Sequence, residues 1–312
     1  MNKLYAIGEL IIDFQSKGLG SLKDTTEFVK NAGGACANVC VQASNFGIPT
    51  VYLSKVGADG FGQFLIESLK LKGVDTSHIV TTSLYDTSLA FVSFQADGER
   101  EFSFFRKKAA DLYFSDDDFK DITFAKGDIL EFGSVALATN EGRKKHLELI
   151  KKASSSKALI AFDPNLRFNL WSDANELKMV VKEYARYANI MKIGSDELEF
   201  VYGKSEEQVA KELFAENLEI LLVTYGAKGA SVYLKNGEKY SHPGFKVKAI
   251  DTTGAGDSCF GAFLALIIEK GIANVDYKKA LEMACRAGAY TITKYGAIKA
   301  MGTKEEILEG VK

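Results

Sequence analysis

Apolar residues along the chain return with two different periods. Runs that are apolar at every position or every second position read as strands, and runs in which apolar residues recur every three or four positions read as helices. KLYAIGELIIDF reads as one strand that Asp13 ends, ANVCVQASNFG as a helix, PTVYLSKVG as a strand and FGQFLIESLKLKG as a helix stopped by Gly73. The rhythm resumes with the strand DILEFGSVAL, a helix over residues 142–153, the strand KALIAFDPN, a helix near residues 176–188 and the strand NIMKIG. Ser195 stands where a helix cap is needed, with Asp196 and Glu197 in the first turn after it. Ser205 and Gln208 form a capping-box pair ahead of EILLVTYG. KVKAI reads as a strand and DSCFGAFLALIIEKG as the helix that follows it. Strands alternating with helices predict an α/β fold, with a central, mostly parallel, Rossmann-like sheet flanked by helices.

Two stretches break the alternation. SLAFVSFQADGEREFSFFR holds two alternating strands around Asp97-Gly98, a hairpin turn pair, and it is rich in Phe. ASVYLKNGEKYSH turns at Asn236-Gly237. The first hairpin lies outside the strand–helix repeat and reads as a small β flap on one main domain, residues 1–312.

Composition narrows the classes of function. The 312 residues are 46% hydrophobic with a formal net charge of -2, so nothing recruits nucleic acid or an anionic membrane. The start, MNKLYAIGELIIDF, is broken by Glu9 and Asp13 and reads as neither a signal peptide nor a membrane span. Cys36, Cys40, Cys259 and Cys285 form no CxxC pair, and His78, His146 and His242 are scattered. Small buried thiols in a reducing cytoplasm are the expectation.

DTTGAGDSCFGAF, from Asp251 to Phe263, is the stretch with most chemistry in it. A turn of small residues entering a helix leaves backbone N–H groups unpaired at the positive end of the helix dipole, which favours an anion. The glycines let the main chain approach phosphate oxygens closely. Asp257 in the first helical turn is either a base beside that anion or an acid that complements the dipole. Two other nucleotide loops are excluded. Gly203-Lys204-Ser205 has Leu198 where a Walker loop needs its first Gly, and Gly254-x-Gly256 is followed by Cys259 where a dinucleotide loop needs Gly.

DTTGAGD with FGAFL, together with NAGGACANV and VGADGFG in the first half, resembles the paired signatures of the ribokinase-like, or PfkB-type, carbohydrate kinases. The order and spacing match across essentially the whole chain. The resemblance implies that Asp257 is the catalytic base, with the N–H groups of Gly254, Ala255 and Gly256 holding the transferred phosphoryl group. It assigns the sugar to Asp13, Gly33, Gly34 and Asn38. On the residues alone, Asp13 is also a strand-end acid and Asn38 a polar helix face. Segments 14–32 and 88–106 match the lid, with Phe102 and Phe104 over the sugar or simply in the core, and family lids often pair two copies. VTYGAKGAS resembles the nucleotide loop. Thr224, Gly226 and Gly229 stand in its matching places, and Lys228 either reaches a phosphate or stays solvated. Lys192 and Cys285 are assigned to the nucleotide as well. Asp251, Thr253 and Gly296 match a monovalent-cation site, for which the resemblance implies K⁺. ATP and Mg²⁺ are the implied cofactors, with Glu197 of the altered NxxE motif acting on Mg²⁺ through water.

DPNLR, Asp163 to Arg167, and FFRKKAAD, Phe104 to Asp111, resemble fructokinases and also 2-keto-3-deoxygluconate kinases. Arg106 and Arg167 bring two cations near the acceptor. Arg167 has three readings: a clamp on an acid sugar, a contact to the phosphate, or a structural pair with Asp163. D-Fructose is the expected acceptor and the acid sugar the alternative. A sugar-binding protein without catalysis would lack the anion loop or the base, and a dinucleotide-dependent oxidoreductase would carry GxGxxG.

Overall fold

In chain order the elements are β1 (Leu4–Ile7), β2 (Ile11–Leu19), β3 (Phe28–Gly33), α1 (Ala35–Asn45), β4 (Thr50–Gly57), α2 (Gly60–Lys70), β5 (Ile79–Thr82), β6 (Ser88–Phe94), β7 (Arg100–Phe105), β8 (Ile129–Gly133), α3 (Asn140–Ser155), β9 (Leu159–Asp163), α4 (Ala174–Ala185), β10 (Ile190–Gly194), α5 (Ser195–Tyr202), α6 (Glu206–Phe214), β11 (Ile220–Thr224), β12 (Ala230–Leu234), β13 (Lys239–His242), α7 (Ala255–Lys270), α8 (Tyr277–Thr291) and α9 (Lys304–Gly310). The computed structural model describes residues 1–94 and 100–312, with the backbone alone at Arg100. The turn expected at Asp97-Gly98 lies outside the described residues.

One sheet runs β13-β12-β11-β10-β9-β8-β1-β4-β5. From β5 to β11 every pairing is parallel, and β12 and β13 add an antiparallel edge. This is the α/β architecture expected from the alternation. Period-two patterning splits each strand between two cores: Leu221 and Val223 of β11 pack with Phe132, Phe162 and Tyr184, whereas Ile220 and Leu222 pack with Phe260, Phe263 and Leu281. Helix α7 is apolar on all sides because it is buried on all sides. Each fully buried Phe or Leu there stabilises the fold by about 1.5–3 kcal/mol. A Cβ at Gly261 would lie 2.5 Å from the Val39 carbonyl oxygen, so α1 and α7 cross with backbones nearly touching. Among the described residues no helix is long and apolar enough to cross a membrane.

A second sheet has the order β3-β2-β6-β7. Asp13, Gln15, Ala90, Val92, Phe102 and Phe104 alternate onto its inner face. Phe14, Phe28, Phe91 and Phe105 form a ring-to-ring cluster on the outer face, where Phe105 is 62% exposed.

Three local expectations are corrected. KLYAIGELIIDF is two strands, because the chain leaves the first sheet at Gly8-Glu9 and enters the second at Ile11. The crossing is pinned there: Glu9 Oε1 accepts the Ala35 N–H at 2.7 Å, and the Glu9 carbonyl accepts the Tyr52 hydroxyl at 2.6 Å. Asp13 therefore lies inside β2, opposite Asn31, and does not end a strand. KVKAI is no strand, since residues 243–250 pair with none; the N–H groups of Ile250 and Asp251 bond instead to the Ile292 carbonyl at the end of α8. Ser195 is the first residue of α5, and Gly194 is its cap.

Candidate active site

Helix α7 begins at Ala255, and Gly254 caps it with φ +79°, a left-handed conformation. A Cβ at Gly254 would also lie 2.8 Å from the Ala297 Cβ, so only glycine fits this turn. Among the described residues the N–H groups of Gly254 and Gly256 bond to no other part of the chain, and the Ala255 N–H makes only a long 3.4 Å approach to the Thr252 carbonyl. Asp257 follows in the first turn, 8% exposed. Its Oδ2 accepts the Asn38 Nδ2–H at 2.7 Å. Asn38 thus orients the acid across the α1–α7 crossing, a role its place in the sequence does not reveal. Burial pushes the Asp257 carboxyl above its ordinary value, against the opposing pull of Lys192, the Asn38 amide and Arg167.

Asp257 opens onto a cleft of about 540 Å³ whose wall also holds Glu9, Asp13, Gly34, Asn38, Arg106 and Arg167, with Phe102 and Phe104 of the second sheet above them. Asp13 is partly open to the cleft, and its carboxyl is pushed up to about 7 by burial, with Arg167 lowering it and Glu9, Asp251 and Asp257 raising it. Gly33 is not part of the wall. A Cβ there would come within 2.1 Å of Asp13 Oδ2, so Gly33 makes room for the acid. The two arginines sit differently. Arg106 is buried, its Nη2 2.6 Å from Asp111 Oδ2 and its Nε 3.1 Å from Ser88 Oγ, so Asp111 fixes and balances it. Arg167 is exposed to the cleft, and its own hydrogen bond goes to the Leu166 carbonyl.

A pair between Arg167 and Asp163 is not formed. Asp163, at the end of β9, takes Lys192 of β10 in a two-pronged ion pair at 2.8 and 3.0 Å. Burial works against the Lys192 charge, but Asp163, Glu197 and Asp257 together outweigh it and raise the ammonium above its ordinary value. Lys192, expected beside the nucleotide, lines the first cleft instead. A Cβ at Gly256 would sit 3.0 Å from its Nζ, so the cation stands against the anion loop.

A second cleft, of about 560 Å³, lies on the other side of that loop. Thr224, Gly226, Gly229 and Cys285 line it, with Phe245, Val247, Cys259, Ala289 and Ile292. Lys228 lies exposed on the turn after β11 and is not part of the wall. Thr252, Ala255 and Gly256 belong to both clefts. The walls are mainly glycine, alanine and branched or aromatic carbon, which fits a flat ring, and the shared loop is where a chain of phosphates can cross.

Asp251, Thr253 and Gly296 meet behind the loop. Asp251 Oδ1 accepts the Thr253 N–H and hydroxyl at 3.0 and 2.6 Å, and Oδ2 accepts the Gly296 N–H at 3.0 Å. Gln15 Nε2 of the second sheet reaches the same carboxylate at 3.4 Å. Glu197 does not face either cleft. Its Oε1 accepts the Leu166 N–H at 2.7 Å and its Oε2 the Gly194 N–H at 2.9 Å, so it ties the DPNLR segment to the start of α5. Among the described residues no group of three or more His, Cys, Asp and Glu is arranged to hold a metal ion. The Glu9 anchor on Ala35 and the Asp163–Lys192 pair are contributions that no local motif announces, because each depends on a partner from another element, whereas Arg106 and Asp111 stand together in FFRKKAAD.

A buried carboxylate with a raised affinity for protons, unpaired amides at a helix mouth and two clefts meeting there are the parts needed for phosphoryl transfer to a hydroxyl. The model of the pfkB family carbohydrate kinases matches residues 1–304. Fructokinase-2 of Solanum habrochaites is 37% identical over 99% of this chain and 96% of its own length. A fructokinase double mutant from Vibrio cholerae O395, in its fructose-, ADP- and potassium-bound form, superposes with a TM-score of 0.90 at 29% identity, covering 100% of this chain and 99% of its own. A sugar kinase from Pyrococcus horikoshii in complex with ATP gives 0.84 at 34% identity over 98% and 97% of the two chains. With the fold, the loop and the length all matched, the chain belongs to the pfkB family of carbohydrate kinases.

Proposed function

We propose that the chain transfers the γ-phosphoryl group of ATP to D-fructose, giving fructose 6-phosphate. The choice of acceptor is carried by the fructokinases among the relatives. In the first cleft Arg106 and Lys192 are each paired with a buried acid, Asp111 and Asp163, whereas Arg167 makes no ion pair among the described residues and is open to a sugar or phosphoryl oxygen.

In this reading Asp13 accepts hydrogen bonds from sugar hydroxyls, and Phe102 and Phe104 cover the ring. Asp257, held by Asn38, takes the proton of the attacking hydroxyl, a role worth about 10²–10⁴-fold. The N–H groups of Gly254, Ala255 and Gly256, with Lys192 and Arg167, receive the charge that spreads over the phosphoryl oxygens. ATP lies in the second cleft with its base held by shape. Mg²⁺ would ride on the phosphates and waters, since among the described residues no group of three or more His, Cys, Asp and Glu is arranged to hold it. Asp251 and Thr253, with backbone near Gly296, would frame a monovalent cation, which when bound adds positive charge behind the loop.

A coupled ADP-release assay over fructose, ribose, 2-keto-3-deoxygluconate and adenosine, with and without potassium, tests this. Fructose is expected to give the highest kcat/KM by at least about tenfold, the scale of one or two contacts. A preference for the acid sugar overturns the acceptor, and equal rates without potassium overturn the cation.

The Asp13 carboxyl adds a pH test. Sugar hydroxyls donate to its ionised form, so binding releases a proton below pH about 7. KM for fructose is expected to be flat above that pH and to rise below it, while KM for ATP stays level. Asp13→Asn should raise KM for fructose and remove its pH dependence; unchanged dependence would assign the titration elsewhere. Stability of the free protein runs the opposite way. The folded state holds a proton that the unfolded chain releases near 3.8, so the Asp13 contribution declines as pH rises from there to about 7.

A further inference from the structure

A chain of side-chain hydrogen bonds runs through the second sheet to the acid that precedes the anion loop. Lys299 Nζ donates to Asn31 Oδ1 of β3 at 3.1 Å, Asn31 Nδ2 donates to Gln15 Oε1 of β2 at 3.1 Å, and Gln15 Nε2 donates to Asp251 Oδ2 at 3.4 Å. The ends of the chain fix its direction. A lysine ammonium can only donate and a carboxylate can only accept, so each amide between them has one orientation open to it. Asn31 is buried and stands opposite Asp13 across the β2–β3 ladder. Gln15 lines the first cleft, two residues beyond Asp13 on the same face. Asp251 in turn holds Thr253 and Gly296, and so shapes the turn that leads into Gly254. The last link is the loose one: 3.4 Å is about 0.4 Å beyond an ordinary N–H···O bond, whereas the two links behind it have ordinary lengths.

We propose that Gln15 is a positioning residue that couples the sugar to the nucleotide. A sugar seated between Asp13 and the Phe102 and Phe104 rings draws the second sheet inward, the Gln15–Asp251 contact shortens, and the turn before Gly254 is set for the phosphates. The inference rests on the kinase reading above and deepens it, since both ligands belong to that reading. A neutral amide suits the role. It gives the Asp251 carboxylate a donor without adding charge to a wall that already holds Glu9, Asp13 and Asp257. Asn31 supplies the stiffness: with Oε1 held, the Gln15 amide leaves Asp251 only by breaking a second bond. Coupling of this kind is reciprocal, so the factor that the sugar adds to nucleotide affinity is the factor that the nucleotide adds to sugar affinity.

Calorimetric titration of the whole chain with the β,γ-imido analogue of ATP, with and without saturating sugar and at fixed potassium and magnesium, tests this. In the wild type the sugar is expected to tighten the analogue by about fivefold or more, the low end of coupling between sites. Gln15→Leu keeps the bulk of the side chain and removes both of its hydrogen bonds; the coupling factor should fall below about twofold, with kcat falling beside it. Asn31→Ala leaves the cleft wall intact, since Asn31 does not line it, and frees only the Gln15 amide. It should lower the coupling factor as well, and it carries the test if Gln15→Leu folds poorly. A Gln15→Leu protein that binds sugar more weakly but keeps the coupling factor would make Gln15 a plain sugar contact and overturn the proposal. So would a wild type in which the sugar changes analogue affinity by less than twofold. The sugar is whichever of the acceptor panel the wild type turns over best, so failure of fructose there removes the fructose reading and leaves this test intact.

Discussion

Asp257→Asn is expected to bind fructose with near wild-type affinity and to lose about 10³-fold in kcat. The substitution keeps the shape of the side chain and still offers an oxygen to Asn38 Nδ2, now 2.7 Å from the acid. What it removes is the lone pair that can take a proton, and a positioned base is worth about 10²–10⁴-fold. Folding should not suffer. The carboxylate is buried in a setting that already opposes its charge, so an uncharged amide relieves that penalty, and the melting temperature should hold or rise. Steady-state kinetics beside a thermal melt check both halves. A variant with near-normal kcat would remove Asp257 as the base and leave it as a helix-end acid.

Lys192→Met should damage both stability and turnover. Lys192 and Asp163 are 6% and 2% exposed and bonded twice to each other. Taking away the cation leaves a buried carboxylate without its partner, which typically costs about 3–5 kcal/mol. At about 2 °C per kcal/mol for a chain of this size, the melting point should fall by roughly 6–10 °C. The double variant Lys192→Met with Asp163→Leu should recover most of that loss, since replacing both ends of a buried pair with apolar groups is often neutral. Activity should not return, because the positive charge beside Gly256 is still missing. If the double variant regains turnover, Lys192 acts only as a structural partner; if Lys192→Met melts like the wild type, the pair is not the strong contact its geometry describes.

The alternating strands and helices were readable because period and capping are local properties. The Ser205–Gln208 box and the turn at Asn236-Gly237 are in place for that reason. Errors fell where a distant partner decides. An apolar run from Leu4 to Phe14 looks continuous, yet Ala35 and Tyr52 pin Glu9 and break it into two sheets. KVKAI alternates like a strand, but residues 243–250 pair with no strand, and Ile292 holds the end of the segment. In the site, the loop at Gly254–Asp257 was legible because small residues before a helix have a mechanism of their own. The pairing of Asn38 with Asp257 spans 219 residues, and that of Lys192 with Asp163 crosses two strands, so neither leaves a trace in any short motif. Glu197 shows the opposite limit. Its place in a motif pointed towards a metal, while its oxygens are occupied by two backbone N–H groups.

The wall common to both clefts, Thr252, Ala255 and Gly256, has a consequence for inhibitor chemistry. A compound that joins a hexitol to a nucleoside through an oligophosphate tether would seat one end and find the other already at hand. Its second docking becomes intramolecular, so tether length, rather than either half's own affinity, would set its potency.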